Sequence, residues 1–375
     1  MRIAWLTLLI AALLFPSLPV WAEENQLNLD AEAAILMDSH TGQVLYEKNS
    51  HERMFPASIT KIVTATVAIE SGKLDEVATV SRQATVVEGT KVYLDVGEQK
   101  TIRELLYALL LHSGNDAANV IAEHIAGSQA KFAEQMNAVV EKVTHSKDTH
   151  FVNPHGLFDK DHYVTAHDMA LLSRYAMQHP LFREIVGTKD YQWDGKKWKT
   201  KLVNQNQLLW RYTGTNGMKN GFLDQSLNTL VTSVNRDQTE LIAVVLKDHG
   251  KEKAYEDTTK LMDYGFAHYE DKQLLTKEQQ IQSPSGTMFQ TTDHVFATVK
   301  KGENATYEVS DQGVLTVKSG NNVQSVPDAL KPVPVPSQEI SPPSTIPWWI
   351  YGVGLFLIVT ASFVIRLKVR QDEAV

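Results

Sequence analysis

Hydrophobic and polar residues alternate in two pairs of short segments, and each pair predicts a β-hairpin. Residues 34–37 and 44–46 flank one polar turn, and residues 230–234 and 241–246 flank another. Between the two hairpins the apolar residues recur mainly at helical spacing. Strands at both ends of a helical region predict an α/β (α+β) sandwich, in which an antiparallel sheet packs against a helical cluster.

The hydrophobic pattern changes after residue 270, and the change divides the chain into regions. Residues 29–270 form the predicted main domain, and residues 276–326 carry short β-rich runs that predict a small β domain. Residues 327–347 are rich in proline and predict a stiff, extended linker.

Two apolar segments predict export and membrane attachment. Residues 1–22 have a basic start, an apolar run and a small last residue, which is the layout of a signal peptide; an uncleaved anchor is the alternative. Residues 348–366 are long and apolar enough for a transmembrane helix, and a buried core helix fits less well after proline-rich sequence. Arg366, Lys368 and Arg370 follow the apolar segment, and the tail, residues 367–375, is therefore expected in the cytoplasm. The rest of the chain would then lie at the extracytoplasmic face of the cell membrane.

The composition narrows the possible chemistry. The chain has 375 residues, enough for one large and one smaller domain. Its net charge of -8 gives no reason to expect nucleic-acid binding. Because the chain has no cysteine, disulfides, thiolate metal sites and a cysteine nucleophile are excluded.

A serine and a lysine one helical turn apart are the first candidates for catalysis. Ser58 and Lys61 would lie on the same face of a helix. That face carries the apolar residues Ile62, Ala65 and Ile69. A lysine on an apolar face needs a paired charge or a lowered pKa, and a neutral lysine can act as the base for a serine. The alternative is a Ser-x-x-Lys sequence that occurs by chance in an ordinary helix.

A second candidate motif lies where a leucine-rich helix is expected to end. A capping-box sequence at residues 101–104 starts this helix. We expect Gly114 to end it and Asn115 or Asp116 to cap the next helix. The loop would present the hydroxyl of Ser113 and the amide of Asn115, although plain capping chemistry is the alternative. A third motif, Lys219 to Phe222, predicts a turn when it is read alone.

In this order and spacing, the three motifs resemble the signature of penicillin-binding proteins and serine β-lactamases. The resemblance is closer to the low-molecular-mass, serine-type D-alanyl-D-alanine carboxypeptidases and covers about residues 31–269, including family-like segments at 153–157, 165–170 and 204–209. It implies a fold of the serine β-lactamase/transpeptidase type and no cofactor. It also implies a peptidoglycan pentapeptide as substrate and β-lactams as covalent inhibitors.

The resemblance also implies a role for each motif residue. Ser58 would attack the peptide carbonyl, Lys61 would accept the serine proton, and Ser113 would relay a proton to the leaving amine. The implied substrate-binding residues are Asn115, Lys219, Asn220, Gly221 and Phe222. Of these, Asn115 would also contact Lys61, and Lys219 would lower its pKa. The backbone N–H groups of Ser58 and Phe222 would form an oxyanion hole.

Asn220 is a departure from the family, which usually has Lys-Thr-Gly, and Leu223 stands where a second threonine usually follows. Those hydroxyls normally bind the terminal carboxylate of the substrate. One alternative is therefore a slow or non-hydrolytic penicillin-binding or wall-binding homologue. A β-lactamase is a further alternative, but no acidic residue stands in a convincing deacylation loop, and Ser-Gly-Asn is more typical of the carboxypeptidases.

Histidines and tryptophans in the middle of the chain suggest two further sites. The five histidines between residues 145 and 167 lack the His-x-x-x-His spacing of a helical zinc site, so we expect no metal. His155 and His167 are expected to be hydrogen-bonded structural residues. Packing positions are expected for the tryptophans Trp193, Trp198 and Trp210, and a sugar-binding groove is the alternative.

Overall fold

The computed structural model describes residues 27–320, 322–334 and 347–372. The expected signal peptide at 1–22 lies outside the described residues, as does most of the expected linker. Predictions for those segments stay predictions.

The described secondary structure consists of strands and helices, with a run of five helices in the middle of the chain and a run of eight strands after residue 268. The strands are β1 (Ala33–Asp38), β2 (Val44–Lys48), β3 (Val77–Thr79), β4 (Gln99–Thr101), β5 (Asp190–Asp194), β6 (Lys199–Val203), β7 (Thr215–Leu223), β8 (Leu227–Arg236), β9 (Thr239–Asp248), β10 (Tyr269–Leu275), β11 (Gln280–Gln282), β12 (Met288–Thr291), β13 (Val295–Lys300), β14 (Ala305–Val309), β15 (Leu315–Ser319), β16 (Asn322–Val326) and β17 (Leu330–Pro332). The helices are α1 (Lys61–Glu70), α2 (Arg82–Thr85), α3 (Ile102–Leu111), α4 (Asn115–Ala126), α5 (Gln129–Thr144), α6 (Ala166–Ala176), α7 (Pro180–Gly187), α8 (Leu208–Arg211), α9 (Lys251–His268) and α10 (Trp348–Asp372).

The main sheet is antiparallel and has the strand order β2-β1-β9-β8-β7. Both predicted hairpins are confirmed, because β1 pairs with β2 and β8 pairs with β9. The two ends of the main domain meet where β1 pairs with β9. This arrangement leaves β7 at the sheet edge, although its sequence predicted a turn. The polar and glycine-rich residues of β7 gave no strand pattern, and pairing with β8 fixes its conformation.

Side chains on the two faces of the sheet belong to two separate cores. Along β1, Ala33, Ile35 and Met37 pack with the helical cluster, whereas Ala34 and Leu36 pack on the other face. Alternation of this kind follows from the two-residue period of a strand. α9 covers the second face and contributes Leu261 and Met262 to that core. The predicted sandwich, with a helical cluster against an antiparallel sheet, is confirmed.

α1 runs through the middle of the helical cluster. The sequence predicted one buried face, but every residue from Lys61 to Ala68 is buried. This part of the prediction was wrong because helices α3 to α7 surround α1 on several sides. A helix in such a position needs apolar or paired side chains all round.

α3 begins as predicted and ends differently. The capping box is present, with Thr101 and Glu104 each bonding the other's backbone. Gly114 was expected to end α3, but the left-handed residue there is Ser113, with φ 67°, and Gly114 is instead the N-cap of α4. Asn115 and Asp116 lie inside the first turn of α4 and do not cap it. The Asn115 side chain accepts a hydrogen bond from Lys61 instead, and the Asp116 side chain accepts one from the backbone of Val92.

The region after α9 contains short strands, as the sequence predicted, with wider limits. β10 pairs with β13, and β17 pairs with β12, so paired strands extend from Tyr269 to Pro332 rather than only over 276–326. β17 therefore lies inside the range predicted as linker. Leu275, Phe289, Leu315 and Val317 share a separate small core. Division into domains at these limits stays a prediction.

α10 is the one helix among the described residues that is long and apolar enough to cross a membrane. Its apolar part, Trp348–Lys368, has 21 residues, a mean hydropathy of 2.0 and no buried residues. A bilayer-spanning helix needs about 20 apolar residues. The length and composition therefore agree with the predicted anchor.

Candidate active site

Ser58 lies in a short 3₁₀ turn, Ala57–Thr60, that leads directly into α1. The turn is bonded to β8 and has an unusual backbone conformation. The Thr229 hydroxyl donates a hydrogen bond of 2.9 Å to the carbonyl of Pro56. Ala57 adopts a positive φ of 51°, an unusual conformation for a residue with a side chain. The sequence placed Ser58 at the start of a helix, and the structure places it one turn before α1.

Lys61 Nζ has three hydrogen-bond neighbours at close distances. They are Ser58 Oγ at 2.8 Å, Asn115 Oδ1 at 2.8 Å and the backbone carbonyl of His155 at 2.7 Å. A neutral amine has two N–H donors and one lone pair. In the neutral form, the amide and peptide oxygens take the two donors because they can only accept, and the lone pair is left for the hydroxyl of Ser58.

The electrostatics of the site favour this neutral form. Lys61 is fully buried, and burial together with the positive charge of Lys219 holds the pKa of Lys61 well below its ordinary value. Asp116 acts in the opposite direction. Burial also lowers the pKa of Lys219 to about 7. The expected depression of the Lys61 pKa by burial and by Lys219 agrees with this geometry.

Asn115 joins Lys61 to a neighbouring loop. Its Oδ1 accepts from Lys61, and its Nδ2 donates to the carbonyl of Glu88 at 2.7 Å. Asp116, the next residue, accepts hydrogen bonds from the backbone of Val92 and Leu94 at 3.0 and 3.1 Å. The first turn of α4 therefore orders the loop that borders the site.

The segment around His155 forms the floor beneath Ser58 and Lys61. Gly156 has φ +87°, and a Cβ there would lie 1.9 Å from the carbonyl oxygen of Ala57, so only glycine allows this approach. Burial lowers the pKa of His155 to about 3, and its ring accepts from the backbone of Leu157 at 3.2 Å. His155 is thus a hydrogen-bonded structural residue, as expected.

β7 passes along the other side of the serine turn. A Cβ at Gly221 would lie 2.7 Å from Ser58 N and 2.6 Å from Thr229 Oγ1. The peptide that joins Gly221 to Phe222 is therefore next to Ser58, where two backbone N–H groups can face one oxygen atom. The Phe222 side chain is exposed, and the fully buried Lys219 lies three residues earlier on the same strand.

Comparison with known proteins shows the family to which the chain belongs. A family model described as D-alanyl-D-alanine carboxypeptidase, peptidase S11, matches residues 21–250. The chain belongs to the D-alanyl-D-alanine carboxypeptidase family. D-alanyl-D-alanine carboxypeptidase DacF of Bacillus subtilis is 32% identical over 340 residues, which cover 87% of this chain and 84% of the relative.

Solved structures agree with this carboxypeptidase family assignment. Penicillin binding protein 5 from Haemophilus influenzae matches with a TM-score of 0.72 and 28% identity, over 82% of this chain and 98% of that chain. Penicillin binding protein 6B from Escherichia coli matches with a TM-score of 0.67 and 30% identity, over 85% and 99%. The resemblance, the fold type and the carboxypeptidase function expected from the sequence are confirmed. The alternatives of a non-hydrolytic binder and a β-lactamase receive no support.

Asn220 is the residue that the sequence analysis singled out as a departure from Lys-Thr-Gly. Its Oδ1 is 3.4 Å from Lys219 Nζ, and its backbone carbonyl accepts from the same nitrogen at 2.7 Å. Asn220 and Lys251 line a cavity of about 710 Å³ together with His112, Trp198 and Trp210. Asn216 is not available to this cavity as a replacement donor, because its amide donates to Glu240 at 2.7 Å.

Of the three tryptophans considered in the sequence analysis, one is a buried packing residue and two line the cavity beside Asn220. Trp193 is buried, with Lys100 Nζ 4.9 Å from its ring centroid, which agrees with the expected packing role. Trp198 makes an edge contact with Tyr93 at 5.5 Å between ring centroids. Trp198 and the half-exposed Trp210 both line the cavity beside Asn220.

The structure gives the position of Ser113 and adds three groups that the sequence analysis did not predict. Ser113 is buried at the end of α3, two residues before Asn115, and its role in proton transfer stays a prediction. The sequence reasoning missed the His155 carbonyl, Thr229 and Lys251. A backbone carbonyl carries no residue signature, and the other two become visible only when β8 and α9 are placed beside β7.

Proposed function

We propose that the chain removes the terminal D-alanine of peptidoglycan pentapeptides through an acyl-enzyme formed on Ser58. The contact of 2.8 Å between Ser58 Oγ and the Nζ of a fully buried lysine carries this proposal. Because the other two neighbours of that nitrogen are acceptors, the lysine can take the serine proton. The family relationship supports the class of substrate.

In the proposed first step, Ser58 Oγ attacks the carbonyl carbon of the penultimate D-alanine while neutral Lys61 takes the hydroxyl proton. The N–H groups of Ser58 and Phe222 stabilise the oxyanion, and each such donor is typically worth about 3 kcal/mol. The C–N bond then breaks, and the proton passes from Lys61 through Ser113 to the amine of the leaving D-alanine. Attack of water on the acyl-serine, with Lys61 again as base, regenerates Ser58.

The terminal carboxylate of the substrate needs a positive partner near β7. Protonated Lys219 supplies charge from within the site, and Lys251 lines the cavity that Asn220 opens onto. Asn220 presents an amide in place of a short hydroxyl. We infer that the carboxylate is held at a less favourable angle than a threonine would allow, so the reaction is slower than this scaffold permits.

Incubation with a pentapeptide ending in D-Ala-D-Ala tests the proposed function directly. The expected products are one D-alanine and a tetrapeptide, and peptide mass spectrometry after benzylpenicillin treatment should place the adduct on Ser58. An adduct on another residue would contradict the assignment of the nucleophile. Rapid penicillin turnover without release of D-alanine would identify a β-lactamase instead.

Replacing Asn220 by threonine is expected to raise the second-order rate of Ser58 acylation. A hydrogen bond to a charged group is worth about 1.5 to 3 kcal/mol, and about 1.4 kcal/mol corresponds to a factor of ten. The expected gain is therefore roughly ten- to a hundredfold. Acylation by penicillin and release of D-alanine should rise together.

Asn216→Thr is the matched control, because it makes the same change on the same strand at a side chain that bonds Glu240. No gain is expected from it. If Asn220→Thr leaves both rates within about twofold of the parent, a difference of under half a kcal/mol, Asn220 does not limit the reaction.

We further propose that the mature chain works at the extracytoplasmic face of the cytoplasmic membrane and is held there by α10. The exposed, apolar Trp348–Lys368 segment supports an anchor, and the peptidoglycan substrate of the family is external to the cytoplasm. The start of the chain, residues 1–22, would direct export.

Truncation at residue 340 is expected to release an active chain from the membrane. The described contacts of Ser58, Lys61 and Asn115 involve residues well before this point. Penicillin acylation should proceed at the rate of the full chain, while the protein moves from the membrane fraction to the soluble fraction. A loss of acylation would show that the tail supports the site.

A further inference from the structure

Three side chains suited to metal binding meet outside the active site, where the turn after β1 contacts β10. They are Asp38, His40 and Asp271, and one ligand atom from each lies within 4.8 Å of the others. His40 Nδ1 is 2.9 Å from Asp271 Oδ2. Asp271 is more than two hundred residues from the other two, so this group forms only through the fold.

Two oxygen atoms of this group are buried and have no hydrogen-bond partner among the described residues. They are Asp38 Oδ2 and Asp271 Oδ1. The other oxygen of Asp38 accepts from the backbone N and the hydroxyl of Thr41, at 2.7 and 2.8 Å. Asp38 is fully buried, and so is the side chain of Asp271. A buried carboxylate oxygen without a donor is unfavourable, and one cation can satisfy two of them at once.

The two nearby arginine side chains do not supply that partner. The guanidinium of Arg174 donates to the backbone carbonyls of Ser39 and His40, at 2.8 and 2.6 Å. Arg183 makes a two-pronged ion pair with Glu240. His40 pairs with Asp271 through Oδ2, so Oδ1 of Asp271 and Oδ2 of Asp38 stay without a partner.

We propose that Asp38, His40 and Asp271 bind a divalent metal ion of the zinc and manganese class. Two carboxylate oxygens and one imidazole nitrogen are a typical donor set for such ions, with water in the remaining positions. The ion replaces the hydrogen bond between His40 and Asp271. The His40 ring is stacked on Phe296, with 4.8 Å between centroids, so the nitrogen is already oriented.

This ion ties the main sheet to the strands that follow α9. The turn that carries Asp38 and His40 already contacts these strands, because Thr41 Oγ1 is 2.6 Å from Thr298 Oγ1 and the Thr41 carbonyl accepts from Gln324 at 2.7 Å. His40 has a side chain that is 30% exposed, which gives the ion a route from solvent. The role of the metal is structural, and the acylation of Ser58 does not depend on it.

Zinc titration of the full chain after chelator treatment and dialysis tests the proposal. Calorimetry should show one site per chain, and the melting temperature should rise by about 5 °C or more when Zn²⁺ is about a hundredfold above its dissociation constant. Mn²⁺ should bind at the same site, and Mg²⁺ more weakly, because it prefers all-oxygen ligands. Asp271→Asn and His40→Gln should each weaken Zn²⁺ binding by more than about tenfold.

His249→Gln is the matched control, because this histidine also lies beside two acids, Asp30 at 3.3 Å and Glu32 at 3.9 Å, but is exposed. It should bind Zn²⁺ like the parent chain. Absence of a zinc site in the parent, equal binding by Asp271→Asn, or equal loss in His249→Gln would each overturn the proposal. A melting temperature that changes with pH but not with metal would show that the carboxylates share a proton instead, and would also overturn the proposal.

Discussion

Replacing Lys61 by alanine is expected to slow acylation of Ser58 by about a hundred- to ten-thousandfold, the usual contribution of a positioned general base. The Lys61 amine lies 2.8 Å from the serine hydroxyl. Stopped-flow acylation by a chromogenic or fluorescent penicillin measures this rate. Lys61→Arg should be equally slow, because a guanidinium keeps the positive charge but does not lose its proton.

The pH dependence separates loss of a base from loss of packing. Burial and the charge of Lys219 hold the Lys61 pKa well below its ordinary value, so the amine is neutral and active above that lowered pKa and protonated below it. Acylation by the parent should rise with pH through an apparent pKa well below the free-lysine value of about 10.4. At higher pH, loss of the Lys219 proton removes the charge that attracts the carboxylate, and the rate should fall again.

The Lys61 variants should show no rising limb in this pH profile. Lys73→Ala is a suitable control, since Lys73 lies just after α1 and its side chain is partly exposed. It should keep both the rate and the profile of the parent. A profile for the parent that is flat from about pH 5 to 9, with Lys61→Ala still active, would contradict the assigned base.

Ser58 and Lys61 could be predicted from the sequence as a nucleophile and its base because their relation is local. Ser58 and Lys61 are three residues apart, and any helical conformation brings them to one side. The capping box at Thr101 was equally predictable, since its partners lie within a single turn. Such features depend on short-range geometry that the fold leaves unchanged.

Features that depend on long-range pairing were predicted poorly. Lys219 to Phe222 were predicted as a turn, yet they form an edge strand because β8 supplies the hydrogen-bond partners. The burial of α1 on all sides follows from several surrounding helices, which no periodicity within α1 reveals. The partly buried pairing of Asp271 with His40 has the same origin, since the two lie 231 residues apart.

The left-handed conformation of Ser113 is a further example, because glycine was the expected residue for such a position. Gly114 follows immediately and has an ordinary negative φ of -60°. A hydroxyl residue with φ 67° costs conformational energy that glycine would not. The proton transfer that we propose for Ser113 would be a functional reason to retain such a conformation, in line with strain that collects at active sites.

Replacing Gly221 by alanine is expected to slow acylation by about a hundred- to a thousandfold, the usual effect of losing one oxyanion donor. The added Cβ would lie 2.7 Å from Ser58 N and 2.6 Å from Thr229 Oγ1, closer than van der Waals contact allows. β7 would have to move away from the serine turn. The N–H groups of Ser58 and Phe222 would then no longer face the same oxygen atom.

Separation of this local effect from general destabilisation needs a second glycine variant. Gly72 has φ +72° and open space around its Cα, so Gly72→Ala strains the backbone by about 1 to 2 kcal/mol without touching the site. Gly72→Ala should lower the melting temperature and leave the acylation rate of the folded protein unchanged. Gly221→Ala should lower the acylation rate even at temperatures where circular dichroism shows the protein to be fully folded. If Gly221→Ala acylates as fast as Gly72→Ala, the contact between β7 and Ser58 does not form the oxyanion hole.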